Sequence, residues 1–138
     1  MARIMAFDFG LKRIGIAVSD PLQMIANSLD TIPTHTVYDF IKAYCAKEEV
    51  EAFVVGYPFN HGGPQNDVVP HIEGFIKKLK SLYPGKEVHK VDERFTSKIA
   101  SQTLLMSGVN KKERQKKGNV DVIAANLILQ SFLEMKGQ

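Results

Sequence analysis

Residues 3–19 read RIMAFDFGLKRIGIAVS, and this stretch decides the fold. Residues 3–9 and 14–19 are apolar runs of the kind that form buried strands. Residues 10–13 between them begin with glycine and have the length of a hairpin turn. We therefore predict that the chain opens with an antiparallel β-hairpin. Asp8 is the one acid in the first strand, where a charge is costly unless it is paired, hydrogen-bonded or bound to metal.

The rest of the chain alternates strand-like runs with helical stripes. Further strands are predicted at about 28–32, at 52–56 and at 87–92, an exposed loop at 57–66, and helices at 36–48, 67–82, about 97–107 and about 119–135. Three hairpin-linked strands followed by βα units imply a mixed sheet with helices on both faces. Right-handed crossovers then place the fourth and fifth strands on the far side of the first. We find no internal repeat or linker and predict a single domain over residues 1–138.

Composition excludes several classes of protein. Of the 138 residues, 44% are hydrophobic and 24% are charged, which is typical of a soluble globular protein. Cys45 is the only cysteine, so the chain has no internal disulfide and no cysteine-cluster zinc site. No apolar stretch is long enough to span a membrane, and no signal-peptide pattern follows Met1. The sequence therefore predicts a cytoplasmic protein that does not bind a membrane.

Three acids stand where elements of the predicted fold end or begin. Asp8 ends the first strand, Glu93 follows the fifth strand, and Asp121 lies in the predicted first turn of the last helix. Each also has a structural explanation: a turn cap, a solvated charged run, and a favourable helix dipole. Alternation along the fifth strand leaves open whether Asp92 or Glu93 points toward Asp8, because a one-residue slip reverses the answer.

The three acids together make a stronger pattern than any one of them. In open sheets of this kind ligands collect at the carboxyl ends of the strands, where Asp8 and Glu93 are predicted to lie. Converging carboxylates repel one another unless a cation binds between them, and oxygen-only ligands suit Mg²⁺ or Mn²⁺. Two such ions, roughly 4 Å apart, activate water for phosphodiester hydrolysis. We therefore predict a metal-dependent nuclease in which Asp8, Asp121 and one acid of the pair Asp92 and Glu93 hold two ions.

Basic residues are concentrated just before the last helix. Between Gly108 and Gly118 the chain carries Lys111, Lys112, Arg114, Lys116 and Lys117. Against the single acid Glu113 this segment has a charge of +4 (five minus one), whereas the net charge of the whole chain is +3. A solvated loop is the ordinary explanation, but beside a metal site the pattern favours binding of a nucleic-acid backbone. Lys12 and Arg13, close to Asp8, extend the same predicted surface.

Four ordered blocks resemble the YqgF/RuvX family of RNase H-fold nucleases. They are DFGLKRIGIAVSD at 8–20, VGYP at 55–58, DERFTS at 92–97, and DVIAA at 121–125 running on to residue 130. The resemblance implies an α/β, RNase H-like fold: a five-stranded mixed sheet in the order 3-2-1-4-5, with strand 2 antiparallel and helices on both faces. It also implies that Asp8, Glu93 and Asp121 are the catalytic, metal-binding acids, with Arg94 as a further phosphate ligand.

The family resemblance leaves the substrate open. Members are described either as Holliday junction resolvases or as nucleases that mature the precursor of small-subunit ribosomal RNA. The family usually has Gly-Leu-Pro where this chain has Gly56-Tyr57-Pro58, and its loop at 60–66 differs as well. We predict processing of the RNA precursor by a monomer or weak homodimer, because a resolvase usually works as a symmetric dimer and no dimer face is evident.

Two other classes of function are compatible with parts of the sequence. A non-catalytic RNA-binding module would explain the basic segment, but the three acids would then face phosphate without a metal. An actin-like or sugar-kinase ATPase would explain the Asp8–Gly10 turn, but such proteins place ATP between two domains of this kind.

Overall fold

The computed structural model describes residues 2–57, 68–92 and 117–136. Its strands are β1 (Arg3–Phe9), β2 (Arg13–Ser19), β3 (Ala26–Pro33), β4 (Val50–Tyr57) and β5 (Glu87–Asp92), and its helices are α1 (Val37–Lys47), α2 (Val69–Leu82) and α3 (Lys117–Lys136). A short 3-10 helix, Thr34–Thr36, joins β3 to α1. Among the helices in these ranges, none has the length and apolar character needed to cross a membrane.

The strands form one mixed sheet in the order β3-β2-β1-β4-β5. The hairpin strand β2 is antiparallel to β1 and β3, whereas β1, β4 and β5 are parallel. The predicted strand order and the antiparallel second strand are therefore confirmed. The parallel strands β1, β4 and β5 bring their carboxyl ends to one edge of the sheet, which we call the upper edge.

Helices cover both faces of the sheet, as predicted. On one face, called the α2 face, large side chains of β1 and β4 pack with α1 and α2; Phe7, Phe53, Ile41, Ile72 and Leu79 are all fully buried there. On the other, called the α3 face, small side chains such as Ala6, Ala17, Ala52 and Ala125 meet Ile128 and Leu129 of α3. Small residues on strand and helix allow α3 to lie close to the sheet.

Several predicted boundaries need correction. The fourth strand begins at Val50 and includes Tyr57, which was predicted to lie in the following loop. The last helix begins at Lys117, two residues before the predicted start. Lys117 is therefore helical, and Asp121 lies beyond the first turn in which we predicted it. The predicted helix at about 97–107 falls outside the described residues.

Candidate active site

Asp8 lies at the upper edge on the α3 face. Its neighbours Phe7 and Phe9 pack into the α2-face core, and Ala6 packs into the α3-face core. Because side chains alternate along a strand, the half-buried Asp8 points to the α3 face. A carboxylate at the end of an apolar strand is thus directed to the side of the sheet that α3 covers.

Glycines occupy the strand positions on both sides of Asp8. Gly15 of β2 is its direct cross-strand partner. On the other side the β1–β4 register pairs Phe7 with Val55, so the next residue of β4, Gly56, comes level with Asp8. Neither glycine can project a side chain across the carboxylate, so the sheet supplies no side chain on either side of it. The sequence alone did not identify this arrangement, because pairing between distant strands is not visible in it.

Asp121 lies in α3 five residues before the contact that ties this helix to β3. Lower down in α3, the amide of Asn126 donates to the carbonyl of Ala26 at 3.3 Å and contacts the Ser28 hydroxyl at 3.2 Å.

The helix position of Asp121 also belongs to the row that faces the sheet. Ala124 and Ala125, three and four residues later, are buried, with 1% and 0% exposure. Residues at this spacing share one face of a helix. Because the helix dipole acts mainly within the first turn, it no longer explains an acid at this position.

The last residue of β5 belongs to the other face. Lys90 of β5 contacts Glu73 of α2, whereas Val91 packs into the α3-face core. Asp92 follows in the alternation and pairs in register with Tyr57 of the α2 face. Asp92 is therefore on the face opposite Asp8. Glu93 and Arg94 lie outside the described residues.

The β1–β2 turn presents two of the predicted phosphate ligands. Lys12 and Arg13 are exposed at the upper edge, next to the end of β1. Gly10 is required in this turn, because a Cβ there would come within 2.5 Å of the Arg13 carbonyl oxygen. The other predicted basic ligands fall outside the described side chains: Lys111, Lys112, Arg114, Lys116 and Lys117.

A small polar cluster lies at the ends of β4 and β5 on the α2 face. The ammonium group of Lys90 is 2.9 Å from a Glu73 carboxylate oxygen and 4.5 Å from the centre of the Tyr57 ring. The hydrogen bond from Lys90, followed by that from Tyr57, lowers the pKa of Glu73. The hydrogen bond between Tyr57 and Glu73 in turn raises the pKa of Tyr57. The tyrosine that stands where the family usually has leucine is thus tied to α2 and β5.

The donor chemistry of the candidate site fits a hard divalent cation. Asp8 is the one predicted metal ligand whose side chain is described, and it offers carboxylate oxygens. The described side chains contain no group of three or more histidine, cysteine or acidic residues that could hold a metal. A site completed by Glu93 and Asp121 would be made of oxygen ligands only, the set preferred by Mg²⁺ and Mn²⁺.

Comparisons with known proteins agree with this geometry. A family model described as "RuvX: Holliday junction resolvase" matches residues 2–135. Proteins of Flavobacterium johnsoniae and Bacteroides thetaiotaomicron, each named "Putative pre-16S rRNA nuclease", are 49% identical to the chain over 99% of both lengths. The solved structure of T. thermophilus RuvC in complex with Holliday junction substrate matches with a TM-score of 0.61 and 16% identity, over 99% of this chain and 97% of that one. This last likeness confirms the predicted RNase H-like fold.

Proposed function

The chain belongs to the RuvX family, and on this premise we propose that it is a metal-dependent endonuclease that cleaves the precursor of small-subunit ribosomal RNA. The observation that carries the proposal is the position of Asp8. Its carboxylate is directed to the α3 face at the upper edge, between two glycine positions. The names of the relatives that are 49% identical supply the RNA substrate.

We assign the metal to Asp8, Glu93 and Asp121. The alternation that directs Asp92 to the α2 face would carry the next residue, Glu93, to the α3 face with Asp8. Each acid would then come from a different element: β1, the end of β5, and α3. Two bound Mg²⁺ or Mn²⁺ ions would supply an activated water and stabilise the leaving oxygen. The three carboxylates would hold the ions in place.

The basic residues are assigned to the RNA backbone. Lys12 and Arg13 stand beside Asp8 on a turn with a defined conformation, where they can neutralise phosphates next to the scissile bond. Arg94 and the predicted basic segment, whose members are Lys111, Lys112, Arg114, Lys116 and Lys117, would contact the strand from the β5 and α3 sides. Such contacts position the strand without reading its bases.

A second candidate substrate is a four-way DNA junction. The family description and the fold of T. thermophilus RuvC in complex with Holliday junction substrate favour it. We rank it below the RNA precursor, since the likeness to RuvC at 16% identity concerns the fold alone.

The two substrates and the non-catalytic alternative are separated by one experiment. The purified chain is incubated with an end-labelled RNA precursor and with a labelled four-way DNA junction, in Mg²⁺, in Mn²⁺ and in EDTA. Asp8→Asn is compared with Asp39→Asn, which alters an exposed acid in the first turn of α1. We expect metal-dependent RNA cleavage that Asp8→Asn abolishes and Asp39→Asn retains.

Other outcomes have distinct meanings. Cleavage of the junction but not of RNA would favour the resolvase function. RNA binding that is indifferent to chelation and to Asp8→Asn, with no cleavage of either substrate, would leave only an RNA-binding module.

A further inference from the structure

A groove runs along the surface of α2. It has a volume of about 340 Å³ and is lined by Glu73, Gly74, Ile76, Lys77 and Lys80. We call it the α2 groove. It opens toward the polar cluster at the upper edge, because Glu73 belongs to both and is bonded there to Lys90 of β5.

The charge of the α2 groove and its upper end is positive. Lys77 and Lys80 are exposed, and Lys90 is 37% exposed at its side chain. Among the described residues that line the groove, Glu73 is the one acid, and Lys90 is paired with it at 2.9 Å. The two lysines of α2 are therefore available to an anion from solution. A surface of this kind attracts polyanions, and lysine ammonium groups bind phosphate as point charges.

The shape of the α2 groove suits a ligand with a bulky backbone. Gly74 lies at its rim, and a Cβ built there would meet nothing within 4 Å. Glycine is a poor helix former, about 1 kcal/mol less favourable than alanine, and no packing contact in the described residues requires it here. Its absence of a side chain keeps the rim low, so a sugar–phosphate chain can approach the helix backbone.

The α2 groove lies on the α2 face, opposite the face of Asp8, and on the other side of β1 from the β1–β2 turn. The turn with Lys12 and Arg13 joins β1 to β2, and Lys90 stands near the upper end of β5. From β1 across β4 to β5 is two strand spacings, about 10 Å. Cations thus stand at the upper edge on both sides of β1, with Lys90 on the α2 face. A single strand that passes from the α3 face over this edge to the α2 face would meet positive charge before and after the bond to be cleaved.

We propose that the α2 groove binds the sugar–phosphate backbone of the RNA strand on the β5 side of the cleavage site. Lys77 and Lys80 each neutralise one phosphate, and the strand leaves the upper edge past Lys90 and follows α2 downward. Contacts of this type are independent of base sequence. The inference rests on the proposed nuclease function, since it assigns a path to the substrate of that site.

The test compares two double variants with the same change in charge. Lys77→Gln with Lys80→Gln removes both groove cations. Lys42→Gln with Lys47→Gln removes two exposed lysines of α1, neither of which lines the groove. Binding of a labelled single-stranded RNA is measured in EDTA by fluorescence anisotropy over a range of salt concentrations, and cleavage is measured separately in Mn²⁺.

We expect the groove variant to bind RNA about tenfold more weakly at about 0.1 M salt, with the log–log salt slope reduced by about 1.4. The control variant should bind within about twofold of the original chain with an unchanged slope. Equal losses in both variants would overturn the proposal, because they would indicate a general effect of net charge.

Substitution of Gly74 tests the α2 groove without removing a lysine. Gly74→Ala should raise the thermal midpoint of unfolding, because alanine favours the helix and its Cβ meets no atom within 4 Å. Gly74→Glu retains the gain in helix propensity but places a carboxylate at the rim, and it should weaken RNA binding by about tenfold. Equal RNA affinity of Gly74→Glu and Gly74→Ala would contradict the proposed path.

The experiments distinguish an error in the groove proposal from an error in the proposed nuclease function. If the original chain cleaves no RNA in any metal, the proposed function fails. If it cleaves RNA, and the groove variant binds and cleaves it equally well, the function stands and the groove proposal fails.

Discussion

The side-chain hydroxyl of Thr34 donates a hydrogen bond of 2.7 Å to the carbonyl oxygen of Gly10. The backbone N–H of Thr34 donates a second bond, of 2.9 Å, to the carbonyl of Lys12. One residue just after β3 therefore holds both ends of the β1–β2 turn. This turn carries Lys12 and Arg13 beside Asp8, so the position of two proposed phosphate ligands depends on a contact made from the next hairpin.

Thr34→Val should loosen the β1–β2 turn. Valine keeps the shape of threonine but cannot donate to Gly10, and we expect the free energy of unfolding to fall by about 1 kcal/mol. RNA cleavage should show a raised KM with little change in kcat, because phosphate positioning is affected and the carboxylates are not. The matched control is Thr36→Val, which removes an exposed hydroxyl bond to Pro33, also of 2.7 Å. Urea unfolding and steady-state kinetics provide both measurements; a KM equal in the two variants would contradict the role of Thr34.

Gly10→Ala should be more damaging than Thr34→Val. The added Cβ would lie 2.5 Å from the Arg13 carbonyl oxygen, which is backbone and cannot rotate away. We expect a loss of about 1–3 kcal/mol in unfolding free energy as the turn shifts. Gly85→Ala is the control, since a Cβ there meets nothing within 4 Å, and it should change stability by less than about 0.5 kcal/mol. Equal urea midpoints for the two variants would show that the turn accommodates the methyl group.

Much of the fold was predictable because its signals are local. The β1–β2 hairpin follows from two apolar runs around a glycine turn, and β5 was predicted with its observed bounds, Glu87–Asp92. The start of α3 was predicted two residues late, because Gly118 and Asn119 are weak helix formers. Packing of later residues of α3 on the sheet outweighs that local preference.

The candidate site was less accessible to sequence reasoning, because it depends on contacts between distant residues. Asp8 attracted attention as a charge in an apolar strand, which is a local signal. Gly15 and Gly56 lie beside Asp8 only because their strands pair with β1 in the sheet. The contact from Thr34 to Gly10 spans 24 residues and has no pattern of its own. Likewise, Asp92 could be assigned to one face of the sheet only from the observed register of β5.

A pH-dependent contribution to stability is expected at the lower edge, far from Asp8. Asp20 accepts backbone N–H bonds from Met24 and Ile25 at 2.8 Å and from Leu22 at 3.2 Å. The bond from Ile25 is the main cause that lowers the pKa of Asp20 below its ordinary value of 3.8. The stabilisation by the ionised carboxylate is therefore complete above that value and is lost as the pH falls through the lowered pKa.

Asp20→Ala should consequently destabilise the chain near neutral pH and have a smaller effect in acid. We expect the gap between the urea midpoints of Asp20→Ala and the original chain to narrow as the pH is lowered from about 7 to about 3. RNA cleavage near neutral pH should be unchanged under conditions where both proteins are folded, since this turn lies at the opposite edge from Asp8. A gap of constant size across the pH range would mean that the ionised carboxylate contributes nothing to the turn.

The assignment of Glu93 as a metal ligand can be tested by replacing the carboxylate with an amide, separately at Glu93 and at its neighbour Asp92. Asp92 is exposed and lies on the α2 face, opposite Asp8, whereas continued alternation would put Glu93 on the face of Asp8. Glu93→Gln should therefore lower metal-dependent cleavage by about 100-fold or more, as expected when a charged metal ligand is lost. Asp92→Asn removes the same charge one residue away and should stay within about twofold of the original rate. Thermal unfolding of both variants checks that the fold is retained. If Asp92→Asn is the inactive variant and Glu93→Gln retains activity, the assignment of Glu93 fails, and Asp92 would have to hold the metal with Asp8 and Asp121.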